Sequence, residues 1–214
     1  MSLYYPAFIS LKGKKCVVVG GGRVAERKVS QLVSAGGVIK VISPVITEGL
    51  RKHKAKRKII HIERRYQKGD LRGAFLVIAA SSDKEVNNSV SADAEYLVNV
   101  IDQPELANFI APAVISREPL AIAVSTSGAS PAFSKTIREE LEQLYPSDIG
   151  RFLRFMKKMR EKALKELLNK CDREKFLKTT ASKQTLEKLR SKGFTIVKNE
   201  IEKSFDALRR NKVG

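Results

Sequence analysis

Val19-Gly20-Gly21-Gly22-Arg23-Val24-Ala25 is the stretch whose residue types and spacing most directly suggest chemistry. It fits G-x-G-x-x-A, with Gly20, Gly22 and Ala25 at the defining positions. Each position has a physical purpose. Gly20 permits a tight turn, Gly22 lets backbone approach a pyrophosphate, and Ala25 allows close helix–strand packing. A helix opening there would turn unpaired N–H groups and a partial positive charge toward phosphates. A second stretch, Ser125 to Pro131, sets hydroxyls on a glycine-containing loop ahead of a helix. It could bind carboxylates through hydroxyls and helix-end N–H groups, or Ser130-Pro131 could be a simple helix cap. Asp102, ahead of Gln103-Pro104, offers a carboxylate that also suits a turn.

The glycine turn carries meaning only if strand and helix flank it. Lys15 to Gly20 is a β-branched run of buried-strand type, and Gly21 to Ala35 has apolar residues at helical spacing. Gly36-Gly37 stops the helix, and Val38 to Ile42 forms the next strand, closed by Ser43-Pro44. This βαβ unit implies parallel strands joined by a right-handed crossover. Strands at 59–62, 75–80 and 96–101, with a helix over 84–95, continue the alternation into an open, doubly wound parallel sheet of Rossmann type. Two strands, at 113–115 and 120–125 around Arg117-Glu118-Pro119, precede a helix over about 132–144, and from Ile149 the spacing is helical throughout. The fold class is therefore α/β, followed by a small α+β segment and an all-helical C-terminal domain, bounded at 1–112, 113–146 and 147–214. Two strands are too few to stand alone, so partners from a second subunit, in a homodimer, are expected to complete their sheet.

Composition narrows the classes. Hydrophobic residues at 43% and charged residues at 30% suit a folded chain, with no apolar run long enough to span a bilayer. Met1 to Leu11 lack the pattern of a secretory leader. Two cysteines, Cys16 and Cys171, make no metal-ligand spacing and no disulfide framework, which fits a cytoplasmic location. Cys16 reads as a small buried hydrophobe, and His53 and His61 as solvated surface residues. No metal-binding residues are expected. The net charge is +18, distributed as +7 over residues 1–146 and +11 over 147–214, a balance that attracts polyanions. The basic run Arg51 to Lys58 has no interleaved aromatics and reads as a solvated helix face, so no nucleic-acid partner is assigned.

Four ordered stretches make the identification specific: Val19 to Lys28; Ala79-Ala-Ser-Ser-Asp83 with Val86-Asn87; Asn99-Val-Ile-Asp102-Gln-Pro104 through Phe109 to Ala113; and Ser125 to Pro131 before a helix containing Arg138. Together, over about residues 4–146, they closely resemble the precorrin-2 dehydrogenase family, which includes the N-terminal part of sirohaem synthases. The resemblance implies a dinucleotide-binding domain, a dimerisation segment, and a helical domain beside an active-site cleft. It implies oxidation of precorrin-2 to sirohydrochlorin with NAD as hydride acceptor, and in some members insertion of ferrous iron as well. Gly20, Gly22, Arg23 and Val24 would hold the pyrophosphate side of NAD, and Ser43, Pro44 and Val45 the adenosine side. Asp102 matches the family's catalytic aspartate, and Asn108, Ser125, Thr126 and Ser127 would contact substrate. Asn99 either lines the pocket or satisfies strand-end backbone. Because Ser43 stands where an acidic residue usually binds the ribose, the residues themselves leave NAD and NADP both open. Precorrin-2 carries eight carboxylates, so a basic cleft would attract it. The alternatives are a bifunctional dehydrogenase and ferrochelatase, or a dinucleotide-sensing regulator with a nucleic-acid-binding tail.

Overall fold

The computed structural model describes residues 4–210, so the leader reading of Met1 to Leu11 lies outside the described residues at its first three positions. The chain divides into two compact units, the first ending at Ala111 and the second beginning at Pro112.

In the first unit β1 (Lys15–Val19), β2 (Val38–Ile42), β3 (Ile59–Ile62), β4 (Leu76–Ala79) and β5 (Leu97–Val100) form one sheet in the order β3-β2-β1-β4-β5. Every neighbouring pair is parallel: Val18 stands opposite Val41 on one side and Ile78 on the other. This is the doubly wound sheet that strand–helix alternation predicts. Successive residues of a strand face opposite sides, so each strand feeds two cores. Cys16 and Val18 pack with Val29 and Leu32 of α1 (Arg23–Ser34) and Leu50 of α2 (Glu48–Ala55). Val17 and Val19 pack on the other side with Val77, Ala79 and Val90, the last on α3 (Lys84–Asp93). Coverage on both faces explains why β1 reads as an unbroken apolar run rather than an alternating one. Each fully buried valine contributes about 1.5–3 kcal/mol relative to exposure.

Of the basic run predicted as a solvated helix face, Arg51 to Lys54 lie on α2 and Lys56 to Lys58 in the turn after it; α2 is capped by Thr47, whose hydroxyl accepts from the Leu50 N–H. Only Leu50 of this helix is buried. The cation side chains lie in water, as a polar face should.

The second unit opens with β6 (Ala113–Arg117) and β7 (Leu120–Val124), an antiparallel hairpin turning at a cis Glu118–Pro119 bond. Among its ten residues only Ile115 is buried. After α4 (Pro131–Leu144) come α5 (Asp148–Glu166), α6 (Lys170–Thr180), α7 (Lys183–Lys192) and α8 (Phe194–Arg210). Phe152, Phe155, Met159, Phe176, Leu189, Val197, Ile201 and Phe205 form their shared core. Phe176 meets Phe205 edge to face, ring centroids 5.5 Å apart, a geometry that adds to the area buried. Asn169 and Ser182 cap α6 and α7. Among the described residues no helix is long and apolar enough to cross a membrane.

Candidate functional site

Where β1 and β4 leave the sheet, the chain from β1 runs off toward β2 and the chain from β4 toward β5. A crevice opens at this reversal of strand order, beyond the carboxyl ends of the strands. It holds a cavity of about 750 Å³ lined by the last residues of β1 and β2 and by the segments that follow all five strands. Gly20, Gly22, Arg23, Val24, Ser43, Pro44, Val45 and Asp102 all line it.

The three glycines differ in what they exclude. Gly20 has φ +123°, and a Cβ there would sit 2.2 Å from the Ala80 carbonyl oxygen. A Cβ on Gly21 would sit 1.9 Å from the Val45 carbonyl oxygen and 2.7 Å from Ser43 Oγ. Both positions are closed by the protein's own backbone. A Cβ on Gly22 would meet nothing within 4 Å. That space lies at the N-terminus of α1, for which Gly22 is the cap residue and supplies no side-chain acceptor. The first-turn N–H groups of α1 therefore face an open pocket, where a phosphate would satisfy them. Ala25 is fully buried, as close packing of α1 on the sheet requires.

Ser43 is buried, and its hydroxyl donates to the Val45 carbonyl at 2.7 Å. It braces the turn on the expected adenosine side, where Pro44 and Val45 present exposed apolar surface. His61, expected in solvent, is half-buried: its Nε2 lies 2.9 Å from the Ser43 carbonyl, which can only accept, so Nε2 carries the proton. Its Nδ1 is buried without a partner among the described residues. His53 is likewise half-buried, 3.1 Å from the Ser30 hydroxyl. Both histidines follow apolar neighbours inward because strand and helix periodicity turn their backbones that way.

Asp102 lies in the turn after β5 with φ +62°, a left-handed conformation that Asp tolerates better than most residues. The turn reading and the site reading coexist, since this exposed carboxylate is part of the cavity wall. Opposite the glycine loop, the segment from Ala80 to Asp83 is fixed by its own bonds. Asn87, 3% exposed, bonds both backbone groups of Ser81, and Asp83 caps α3 through the Glu85 and Val86 N–H groups.

Asn108 stands elsewhere. Its Oδ1 accepts from Val98 N–H at 2.7 Å and its Nδ2 donates to the Tyr96 carbonyl at 2.6 Å, bracing the edge strand. Asn99 bonds the Phe109 carbonyl, which answers the choice left open by sequence in favour of backbone satisfaction. Ser125, Thr126 and Ser127 lie in the second unit, before α4. Thr126 Oγ1 bonds both the N–H and the carbonyl of Ser130, while Ser125 and Ser127 are exposed. Ser130 caps α4 by accepting from the Phe133 N–H, with Pro131 at the first helical position.

Sequence reasoning missed Arg65 and Tyr66, which line the cavity just past β3. The available signal was position alone: residues that follow a parallel strand emerge at the same crest of the sheet. Tyr66 donates to Asp93 at 2.6 Å, and burial together with that carboxylate pushes its phenol well above its ordinary range. Beside it Arg64 makes a two-bond pair with Asp70, which holds the Asp70 carboxyl below the usual carboxylate range. Among the described residues no three His, Cys, Asp or Glu side chains cluster as a metal site would require.

Residues 7–113 match the model of an NAD(P)-binding family, and residues 117–144 match that of the central part of sirohaem biosynthesis proteins. The chain is 42% identical to a sirohaem synthase of Methylobacillus flagellatus over 159 residues, covering 73% of this chain and 34% of that protein. It is 31% identical to a sirohaem synthase of Ruthia magnifica over 214 residues, covering 99% of this chain and 45% of that protein. The chain spans about a third to a half of the length of these curated relatives. A solved structure of SirC, a precorrin-2 dehydrogenase, superimposes with a TM-score of 0.79 at 28% identity, covering 94% of this chain and all of that one.

Proposed function

The chain belongs to the NAD(P)-binding family of sirohaem biosynthesis shared by precorrin-2 dehydrogenases and sirohaem synthases, and from that premise we propose that it oxidises precorrin-2 to sirohydrochlorin with NAD as acceptor. One observation carries this reading: the open helix end at Gly22 and the carboxylate of Asp102 line the same cavity.

The residues present fit a dinucleotide. Gly22 leaves room for a pyrophosphate at the uncapped α1, and Arg23 adds a cation to the same wall. Pro44 and Val45 supply apolar surface for the adenosine end. When bound, NAD supplies hydride acceptance. The oxidation releases a hydride and a proton from the substrate; the proton passes to the Asp102 carboxylate and from there to water. The left-handed turn at Asp102 fixes where that carboxylate stands. Ser125, Thr126 and Ser127 form the proposed contact for substrate carboxylates, Thr126 holding the loop while the two exposed serines donate. Asn108 serves the site by positioning β5, its amide being occupied by backbone.

The hairpin of β6 and β7, with one buried residue in ten, supports a homodimer in which a second copy extends this sheet, with 113–146 as the dimerisation segment and 147–214 as a helical domain. Both cysteines are free, which supports a reducing, cytoplasmic setting. The names carried by the similar proteins are those of biosynthetic enzymes, which weighs against a dinucleotide-sensing regulator.

The test is incubation with precorrin-2 and NAD or NADP, following NADH or NADPH at 340 nm and the tetrapyrrole spectrum. Reduced cofactor appearing together with sirohydrochlorin is expected, faster with NAD. A chain that produces neither with either cofactor overturns the assignment. Adding ferrous iron as substrate asks whether the same carboxylate also assists metal insertion; a sirohaem spectrum answers yes, and metal-free sirohydrochlorin answers no.

A further inference from the structure

In the second unit a concave groove of about 760 Å³ runs between α5 and α8. Its rim carries Arg151, Arg154, Lys158 and Lys162 of α5, with Lys198 of α8. The α5 cations recur at intervals of three and four residues, so they stand one above another on a single face. The floor is apolar: Phe155, Met159 and Phe205 are buried, and Phe194 is half-buried. Glu202 and Asp206 are the acids of the lining, so cations outnumber them five to two.

Like charges at this spacing repel, and helices usually relieve the repulsion with acids on the next turn. The neighbouring helices do so, pairing Lys170 with Glu174 and Lys183 with Glu187. Along the groove Arg151 reaches Asp148 and Lys198 reaches Glu202. Arg154 donates to the Glu118 carbonyl, and Lys162 lies over the Phe205 ring at 4.7 Å. Lys158 is exposed and has no carboxylate within ion-pair distance among the described residues. A concave, low-dielectric floor under a row of cations with few counter-charges concentrates positive potential inside the groove.

We propose that this groove is a second ligand site, and that it takes a polycarboxylate macrocycle of the class on which the proposed reaction acts. The inference rests on that proposed function for the identity of the ligand. Carboxylates would meet the rim cations in charge-assisted bonds while the apolar ring body lies against half-buried Phe194 and the methylene stems of the rim side chains. A nucleic-acid strand fits less well, because successive bases need a series of open aromatic faces, and of the groove's rings only Phe194 is partly open, Phe155 and Phe205 being 9% and 0% exposed. None of the groove residues lines the cavity in the first unit.

The probe is uroporphyrin, a stable octacarboxylate macrocycle, titrated into the full chain with porphyrin fluorescence as readout. The variant Lys158→Glu with Lys162→Glu is compared with Lys170→Glu with Lys183→Glu, which changes net charge equally away from the groove. Affinity should fall on the order of tenfold in the groove variant and stay within about twofold in the control. Lys158→Ala, at an exposed position, gives a milder fall in the same direction if the double variant melts early. Equal losses in both double variants, no porphyrin binding by the wild type, or displacement of porphyrin by a single-stranded oligonucleotide at lower concentration each overturn the proposal. Turnover of precorrin-2, measured in parallel, separates the two readings. An active enzyme whose groove variant binds porphyrin like wild type removes the groove alone. An inactive wild type that still loses porphyrin affinity on groove substitution removes the dehydrogenase alone and leaves the groove standing.

Discussion

Both backbone polar groups of Ser81 are bonded to the side-chain amide of Asn87, the N–H donating to Oδ1 at 3.1 Å and the carbonyl accepting from Nδ2 at 3.0 Å. One buried amide thus sets the wall of the cavity that faces the glycine loop. Asn87→Ala leaves two backbone groups unpaired beside an apolar core and should cost about 1–3 kcal/mol in chemical denaturation. NAD affinity should fall several-fold with it, read by fluorescence titration; a variant of unchanged stability would show that the loop holds itself.

The glycines of the turn should separate by experiment. Gly21→Ala drives a methyl into the Val45 carbonyl and should destabilise the first unit by about 3 kcal/mol. Gly22→Ala meets no protein atom, so its melting temperature should stay within about 2 °C of wild type while the Kd for NAD rises about tenfold. Calorimetry and cofactor titration on the two variants check the contrast.

Asp102→Asn keeps a residue that accepts the left-handed turn but removes the proton acceptor. Turnover of precorrin-2 should drop on the order of 10²–10⁴-fold while NAD binds within about twofold of wild type. Residual activity near wild type in steady-state assays would confine Asp102 to a turn-forming role.

The centre of the sheet was legible because β1 and β4 are buried on both faces and each announces itself as an apolar run; Val17 and Val18 serve opposite cores and are equally inaccessible. The glycine turn was legible because the backbone clearance at Gly20 and Gly21 can be met by few residue types. Arg65 and Tyr66 were not, because their membership in the wall depends on where β3 ends rather than on any local pattern. The bonds of Asn108 escaped too: an amide that braces two strand-edge groups looks, in sequence, the same as one that meets a ligand. His61 misled for a related reason, its basic neighbours suggesting water while the strand turned it toward Ser43.

The two thiols should differ sharply in reactivity. Burial pushes the Cys16 thiol up to about 11, and its Sγ lies 3.6 Å from the Lys14 carbonyl, whereas Cys171 is exposed. The thiolate is the nucleophile, so at pH 8 the native chain should release one equivalent of aromatic thiolate from a disulfide reagent, and two after unfolding in guanidinium. Because the shift is upward, Cys16 should stay protected as pH rises through 9. Two equivalents from the native chain would mean that β1 opens readily.

The central pair of the sheet, β1 and β4, joins segments that the chain makes far apart, with β2 and β3 lying between them in sequence. Closing so long a loop delays contact formation, and the crevice at this pair cannot exist until it closes. A ribosome-bound fragment that stops before residue 76 therefore contains every glycine of the turn and yet lacks the walls that β4 and β5 give to the proposed dinucleotide site. Competence for the nucleotide should arise abruptly once β4 and β5 have emerged, as a property of the finished sheet and not of the loop.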